Sequence, residues 1–519
     1  MNALPRLSRE LVASPFMAGR VDVDAPPPGI LDLPERVVQF GTGAFLRGFA
    51  EWFIDDANRA GRFSGSIVAI ASTDSKREGV LNAQDGLYTL STQGGAAGDF
   101  RPRNRIVASL SRALSSATQW NDVLALARDP NIELVISNTT EVGLTLDSAD
   151  SPDAAPPRSF PAKLTRFLFE RARAFDYDAA RGLVVLPCEL VDDNGAILER
   201  LVRGLATAWR LDARFAGWLG DAVVFCNTLV DRIVPGAPPR AEVERFERVH
   251  GYRDGMLTSC ESYALFAIEG DDRLRARLGF PGEDPRVVVA PDIRPYRERK
   301  IRLLNGGHTI VVPVALLAGM ATVRDAVRDR RVGGFLRRAM LDEIAPHLDA
   351  PGAESFASEV LRRFDNAYID HALIDITLHG TTKMRVRVVP SIMAFASRTG
   401  RPPAALAFGF AAFLAFMRGD VQAERRSAGL AVPADTEGER VGGAWQSLTP
   451  RTDEEFVALV RRVCADHSLW GADLAALPGF VELVAEHLTR ICANGVLSAL
   501  DAQLTESVTL TCPRARLLR

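Results

Sequence analysis

The residues best suited to chemistry lie in Lys300-Ile-Arg-Leu-Leu-Asn305-Gly-Gly-His308. On a helix turning about 100° per residue, Asn305 falls ~140° and His308 ~80° from Lys300, so the three share one broad face. Reducing a ketone requires a hydride, a proton for the developing alkoxide, and donors aimed at that oxygen. Lys300 can supply the proton and the Asn305 amide can hold the oxyanion. His308 can bind a neighbouring hydroxyl or position the lysine. Only four of the 62 basic residues are lysine, namely Lys76, Lys163, Lys300 and Lys383. Lysine can be tuned to lose its proton in a protein and arginine cannot, so a proton-transfer role should fall on one of these four. By spacing alone, a solvated cation at the start of a helix remains an equal alternative for Lys300.

A second candidate block is Phe225-Cys-Asn227-Thr-Leu-Val-Asp231-Arg232-Ile233. It follows a short apolar run, which puts Asn227 at the carboxyl edge of a sheet, where parallel sheets bind ligands. Asp231 and Arg232 could contact substrate or form a turn-stabilising charge pair. A third block, Gly41-Thr42-Gly43-Ala44-Phe45, lies between the β-rich run Arg36–Phe40 and a helical pattern from Phe45 to about Asn58. There backbone N–H groups can cradle a pyrophosphate. The third glycine of the usual fingerprint is replaced by Leu46, so an ordinary strand-to-helix turn remains an alternative. Asp74 ends the next apolar run, Ser66–Ser72, where a carboxylate would accept from the ribose hydroxyls of NAD and repel the extra phosphate of NADP. Lys76 and Arg77 pull the other way, and NAD is the favoured expectation.

These groups need a scaffold. Further strand patterns at Ile132–Ser137, Gly182–Leu186 and Ala222–Phe225 alternate with helical patterns at Ala162–Phe175 and Ala196–Trp209. That alternation predicts an α/β Rossmann-type N-terminal domain with a parallel sheet. From about Pro295 long helical patterns dominate, beginning with Lys300–Ala318 and including Ala404–Arg418 and Gly479–Leu497. The division expected is 1–293 for the dinucleotide-binding domain and 294–519 for a mainly α-helical C-terminal domain carrying substrate and catalysis. A length of 519 residues calls for two cores. Hydrophobic content of 47%, charge of 24% and a net charge of −3 fit a soluble globular protein and favour neither nucleic acid nor a membrane surface as partner. With no apolar leader at the N-terminus and no run of ~20 apolar residues, the expected location is cytoplasmic. Six scattered cysteines without metal-ligand spacing predict reduced thiols and no bound metal.

Taken together, Gly41-Thr-Gly-Ala-Phe-Leu-Arg47, Asn227-Thr-Leu-Val-Asp-Arg-Ile233 and Lys300-x4-Asn305-x2-His308 resemble, in order and spacing, the three signature blocks of the long-chain mannitol dehydrogenase family. The likeness runs from about residue 35 to at least 395. Ser137–Gly143, Phe160–Arg166, Pro187–Val191 with Asn194-Gly195, Arg363-Phe364 and Thr382–Arg387 are similar to the hexuronate-reducing branch of that family. The resemblance implies Lys300 as acid/base, Asn227 and Asn305 as the oxyanion site, His308 as a substrate contact, NAD as cofactor and no metal. It also implies a small sugar-acid substrate, and a monomer, as members of the family often are. Polyol-specific members typically carry glutamate three residues before the lysine, whereas this chain has Arg297. An arginine there suits a uronate carboxylate, because the guanidinium binds it in a bidentate fork. Lys383 is a second candidate for the same group. Fructuronate reduction, mannitol or arabinitol oxidation, and a non-catalytic dinucleotide-binding regulator are the competing expectations.

Overall fold

The computed structural model describes residues 4–71, 76–94, 102–139, 143–366, 371–429 and 435–511. The chain divides into two compact units, Met1–Ile293 and Arg294–Arg519.

Six strands form the main sheet of the first unit: β1 Glu35–Phe40, β2 Ser66–Ala71, β3 Leu110–Ser115, β4 Leu134–Ser137, β5 Val184–Pro187 and β6 Val224–Phe225. They are hydrogen-bonded in the order 3-2-1-4-5-6, and every pairing is parallel. This is the doubly wound dinucleotide-binding topology, and it reverses direction between β1 and β4. A strand's side chains alternate between faces, and here alternate residues feed two separate cores. Val37, Ile67, Ile136 and Leu186 pack with Phe49, Phe53 and Phe266 on one face. Val38, Val68, Val135 and Val185 pack with Phe160, Phe167 and Trp218 on the other. Both faces being covered explains why Ser66–Ala71 is buried at every position. The helix Phe160–Ala174 starts where Ser159 accepts a hydrogen bond from the Ala162 N–H, with a proline in its first turn. Two smaller sheets complete the unit: Val23–Asp24, Arg103–Val107, Tyr88–Gln93 and Thr258–Glu261 form one, and Thr228–Asp231, Leu265–Glu269 and Val287–Ala290 the other.

The single helix expected from Phe45 to Asn58 is broken. Ala44–Arg47 and Ala50–Arg59 are separate, and Phe49 between them has φ −131° and ψ −88°.

The second unit is helical among its described residues. Its buried centre is Ala404–Phe416, in which every residue but the first is buried. Pro403 cannot cap this helix with its side chain, and the Glu343 carboxylate does so instead, accepting from the Ala405 and Leu406 N–H groups at 2.7 and 2.8 Å. Among the described residues no single helix is long and apolar enough to cross a membrane.

His487 packs edge-on against Phe408 of that central helix at 5.3 Å. Neither of its ring nitrogens has a hydrogen-bond partner. Burial, helped by Arg490, pushes its pKa down to about 4. A folded value below the unfolded one means that stability is complete above about 6.5 and is lost as pH falls towards 4. A shift of that size corresponds to about 3 kcal/mol. Thermal melts at pH 7 and pH 4.5 should therefore show a larger acid loss in the wild type than in His487→Leu. Equal losses would show that the imidazole carries no titration penalty.

Candidate active site

In the first unit the loop after β1 lies at the carboxyl edge, where the sheet reverses. Gly41 has φ +122°, and an ideal Cβ there would come within 2.9 Å of the Asn138 carbonyl oxygen and 3.2 Å of Leu46 Cδ1. Only glycine fits both the angle and the space. Gly43 borders open space, so a ligand can approach its backbone. The loop is clamped from beneath. Gln39 Nε2 donates to the Gly41 carbonyl at 2.9 Å, and buried Arg47 donates to the Thr42 carbonyl at 2.7 Å and to Thr258 Oγ1 at 3.0 Å. Across the crevice Asn138 Nδ2 donates to the Cys188 carbonyl at 2.6 Å, and Thr139 donates twice to the buried Glu189 carboxylate. The cradle thus has the open backbone and fixed shape that a pyrophosphate needs. Asp74 lies outside the described residues. Lys76 has left-handed φ and precedes the helix Arg77–Ala83.

Asn227 sits between β6 and the strand Thr228–Asp231. Its Oδ1 accepts from the Ala196 N–H at 3.0 Å, and its Nδ2 donates to Glu269 at 3.3 Å. Gly195 makes this approach possible, because a Cβ there would lie 2.4 Å from the Cys226 backbone. Asp231 and Arg232 are both buried. Arg232 donates to the Gly48 carbonyl at 2.7 Å and the Glu261 carbonyl at 3.0 Å, and its guanidinium lies 4.1 Å from the Trp52 ring centroid. It braces the chain at the break between the two helices. Its Nη2 has no hydrogen-bond partner among the described residues, and the substrate contact expected of the pair stands as a proposal.

In the second unit Lys300 opens a π-helical turn, Lys300–Asn305, between the α-helices Arg294–Arg299 and Gly306–Leu317. The Gly306 N–H donates to the Ile301 carbonyl, five residues back. Bonds of that spacing widen the helix and bring residues five apart closer to one line than the ~140° of an α-helix. The geometry assumed for Lys300 and Asn305 is corrected accordingly, and in the direction that aligns them. Two further π segments, Ala339–Ile344 and Met384–Val388, pack against the same stretch. A Cβ at Gly306 would lie 3.2 Å from the Arg387 carbonyl oxygen, and one at Gly307 would lie 3.0 Å from the Met340 sulfur. The two glycines admit this close packing.

His308 stacks on Phe364 with ring centroids 4.0 Å apart and meets His371 edge-on at 4.9 Å. Burial holds its pKa well below the ordinary value, and His371, Arg363, Arg387 and Lys383 act in the same direction. The ring is therefore neutral at physiological pH. It can donate one hydrogen bond and accept another. Burial and Arg387 also lower the pKa of Lys383, whose Nζ donates to the Ile376 carbonyl at 2.9 Å. Arg297 lies on the helix before Lys300 and is half-buried. Of the other arginines flanking the lysine, Arg302 pairs with Glu298 at 2.8 Å, and Arg299 donates to the Pro351 carbonyl and lies over the Phe356 ring. Thr309 and Lys383 border a cavity of about 500 Å³, walled by Val312, Phe413 and Phe416. Reasoning from sequence assigned no role to Arg363, His371 or Arg387. The Lys383-x3-Arg387 spacing was the available signal, but it does not reveal which helix the two residues face.

Residues 35–281 match the family model described as the mannitol dehydrogenase Rossmann domain, and residues 292–492 that of the mannitol dehydrogenase C-terminal domain. The chain belongs to the mannitol dehydrogenase family. Among mannitol dehydrogenase relatives it is similar to the altronate oxidoreductase of Pectobacterium carotovorum subsp. carotovorum (strain PC1), with 41% identity over 474 residues, 90% of this chain and 96% of that one. The altronate oxidoreductase of Yersinia pestis is 41% identical over 475 residues, 90% and 97% of the two chains. Pseudomonas fluorescens mannitol 2-dehydrogenase, solved as a ternary complex with NAD and D-mannitol, shares the fold at a TM-score of 0.64 and 22% identity, covering 96% of this chain and 99% of that one. A D-sorbitol dehydrogenase in substrate-free form does so at 0.74 and 23%, covering 95% and 100%.

Proposed function

We propose that the chain is an NADH-dependent reductase of a keto sugar acid that interconverts D-tagaturonate and D-altronate in hexuronate breakdown, with Lys300 as acid/base and without a metal. As a member of the mannitol dehydrogenase family it is an NAD-dependent oxidoreductase acting on CH–OH groups. The observation that carries the sugar-acid reading is Arg387, half-buried, donating to Thr309 beside His308 at 3.3 Å and without a carboxylate partner among the described residues. A polyol needs no such charge, and a carboxylate does. The relatives named for altronate support the same choice.

In this reading Gly41, Thr42, Gly43, Ala44 and Phe45 hold the pyrophosphate of NAD, whose nicotinamide gives or takes the hydride. The unit 1–293 binds the dinucleotide, and 294–519 carries substrate and acid/base. In reduction Lys300 protonates the alkoxide oxygen, and in oxidation it removes the hydroxyl proton. Asn305 donates its amide N–H to that oxygen. Asn227, whose Nδ2 donates to Glu269 at 3.3 Å, is taken in this reading as a further amide donor for the oxyanion. His308 binds an adjoining hydroxyl. The same reading takes the protein as a cytoplasmic monomer, and its free buried thiols Cys188, Cys226, Cys260 and Cys464 suit a reducing compartment.

Loss of NADH absorbance on tagaturonate, fructuronate and fructose, each with and without chelator, tests this directly. The expected result is fastest turnover on tagaturonate, unchanged by chelation. Preference for fructuronate would move the substrate to the epimer, and preference for fructose would overturn the sugar-acid reading. Loss on chelation would overturn metal independence.

A further inference from the structure

We infer that Arg387 receives the carboxylate of the substrate, with the Thr309 hydroxyl holding its guanidinium in place. This rests on the sugar-acid reading above and names the group that enforces it. Arg387 lies on the π segment Met384–Val388, four residues beyond Lys383, and its carbonyl oxygen is packed against Gly306. Its position beside the Asn305–Thr309 stretch is therefore set by backbone contact rather than by the reach of a flexible stem.

The side chain is half-buried, and Nη1 donates to Thr309 Oγ1 at 3.3 Å. Among the described residues no Asp or Glu lies within ion-pair distance of it, and burial lowers its pKa. Other arginines removed from solvent in this protein are matched by a carboxylate, as Arg59 with Asp55 at 2.7 Å and Arg105 with Asp56 at 2.9 Å, or by several backbone carbonyls, as Arg171 and Arg232, whereas Arg387 has only the Thr309 hydroxyl among the described residues. A desolvated guanidinium without a counter-ion is unfavourable until an anion arrives. Its planar fork then takes a carboxylate in two parallel hydrogen bonds. Lys383 is less suited to this contact, since its ammonium already donates to the Ile376 carbonyl. Its charge, four residues away, reinforces the local potential.

The test compares kcat/KM for D-tagaturonate with that for a neutral ketohexose in wild type, Arg387→Met, Arg387→Lys, Thr309→Val and Arg297→Met. The ratio of the two should fall about 100-fold in Arg387→Met and about 10-fold in Thr309→Val, through KM rather than kcat, with part of it regained in Arg387→Lys. A ratio within threefold of wild type in Arg387→Met, equal losses on both substrates, or a larger fall in Arg297→Met would overturn the assignment. If circular dichroism shows Arg387→Met to be misfolded, Thr309→Val carries the same comparison. Failure of the sugar-acid reading is seen separately, in wild-type protein that reduces the neutral ketose and no hexuronate.

Discussion

Lys300→Ala should lower kcat by about 10³-fold on the best substrate while leaving NADH binding within a factor of two, the range expected when one general acid is removed. The expectation rests on the local covalent order as much as on side-chain type. The lysine opens the π turn that ends at Asn305, so the proposed proton donor and the proposed amide donor are carried on one hydrogen-bonded segment. Rigid positioning of that kind is what turns a weak acid in solution into an effective one at a bound oxygen. Lys300→Arg should be nearly as impaired, since a guanidinium does not give up its proton near neutrality. Single-turnover absorbance of pre-bound NADH measures the chemical step, and protein fluorescence measures cofactor affinity. Turnover within tenfold of wild type in the alanine variant would remove Lys300 from the acid/base role.

Gly41→Ala should weaken NADH binding by about 30- to 100-fold, or roughly 2–3 kcal/mol. Two costs add. The backbone angle of +122° lies where L-residues are strained, and the new methyl would stand 2.9 Å from the Asn138 carbonyl oxygen. Asn138 has little room to yield, because its N–H donates to the Phe40 carbonyl and its side chain to the Cys188 carbonyl. The strain is relieved by moving the loop, which carries the proposed cofactor contacts. Gly43→Ala is the matched comparison: its Cβ meets nothing within 4 Å, so any loss it causes comes from the ligand side rather than from the fold. Fluorescence titration with NADH and a thermal melt separate the two effects. Unchanged affinity in Gly41→Ala would take the loop out of the cofactor site.

The elements that the sequence made legible are those governed by short-range rules. The β-rich run, the glycine pair and the helix that follows are local facts, and the central strands appear as continuous apolar runs because both faces of a parallel sheet are buried. The strands Thr258–Glu261, Leu265–Glu269 and Val287–Ala290 escaped notice, since each has only four or five residues, and the first takes its partner from far along the chain, Thr258 pairing with Leu90. Arg232 was ambiguous for a related reason. Its type suits a substrate anion, and only the placement of Trp52 and the Gly48 carbonyl around it makes it a brace.

By itself the sequence determined an α/β part followed by a helical part, and it singled out the glycine pair after the first strand and Lys300, Asn305 and His308 as candidates, because these depend on residue type and on separations of a few positions. Three things were decided only by tertiary structure. The π turn at Lys300 depends on Gly306 and Gly307 meeting the Arg387 carbonyl and the Met340 sulfur, contacts that no local periodicity encodes. The neutral state of His308 depends on burial beneath Phe364 and on cations from Arg363 to Arg387. That Arg387 has no carboxylate partner among the described residues is a statement about what surrounds it, and surroundings 78 residues apart in the chain are set by packing, which sums many weak contacts into one arrangement.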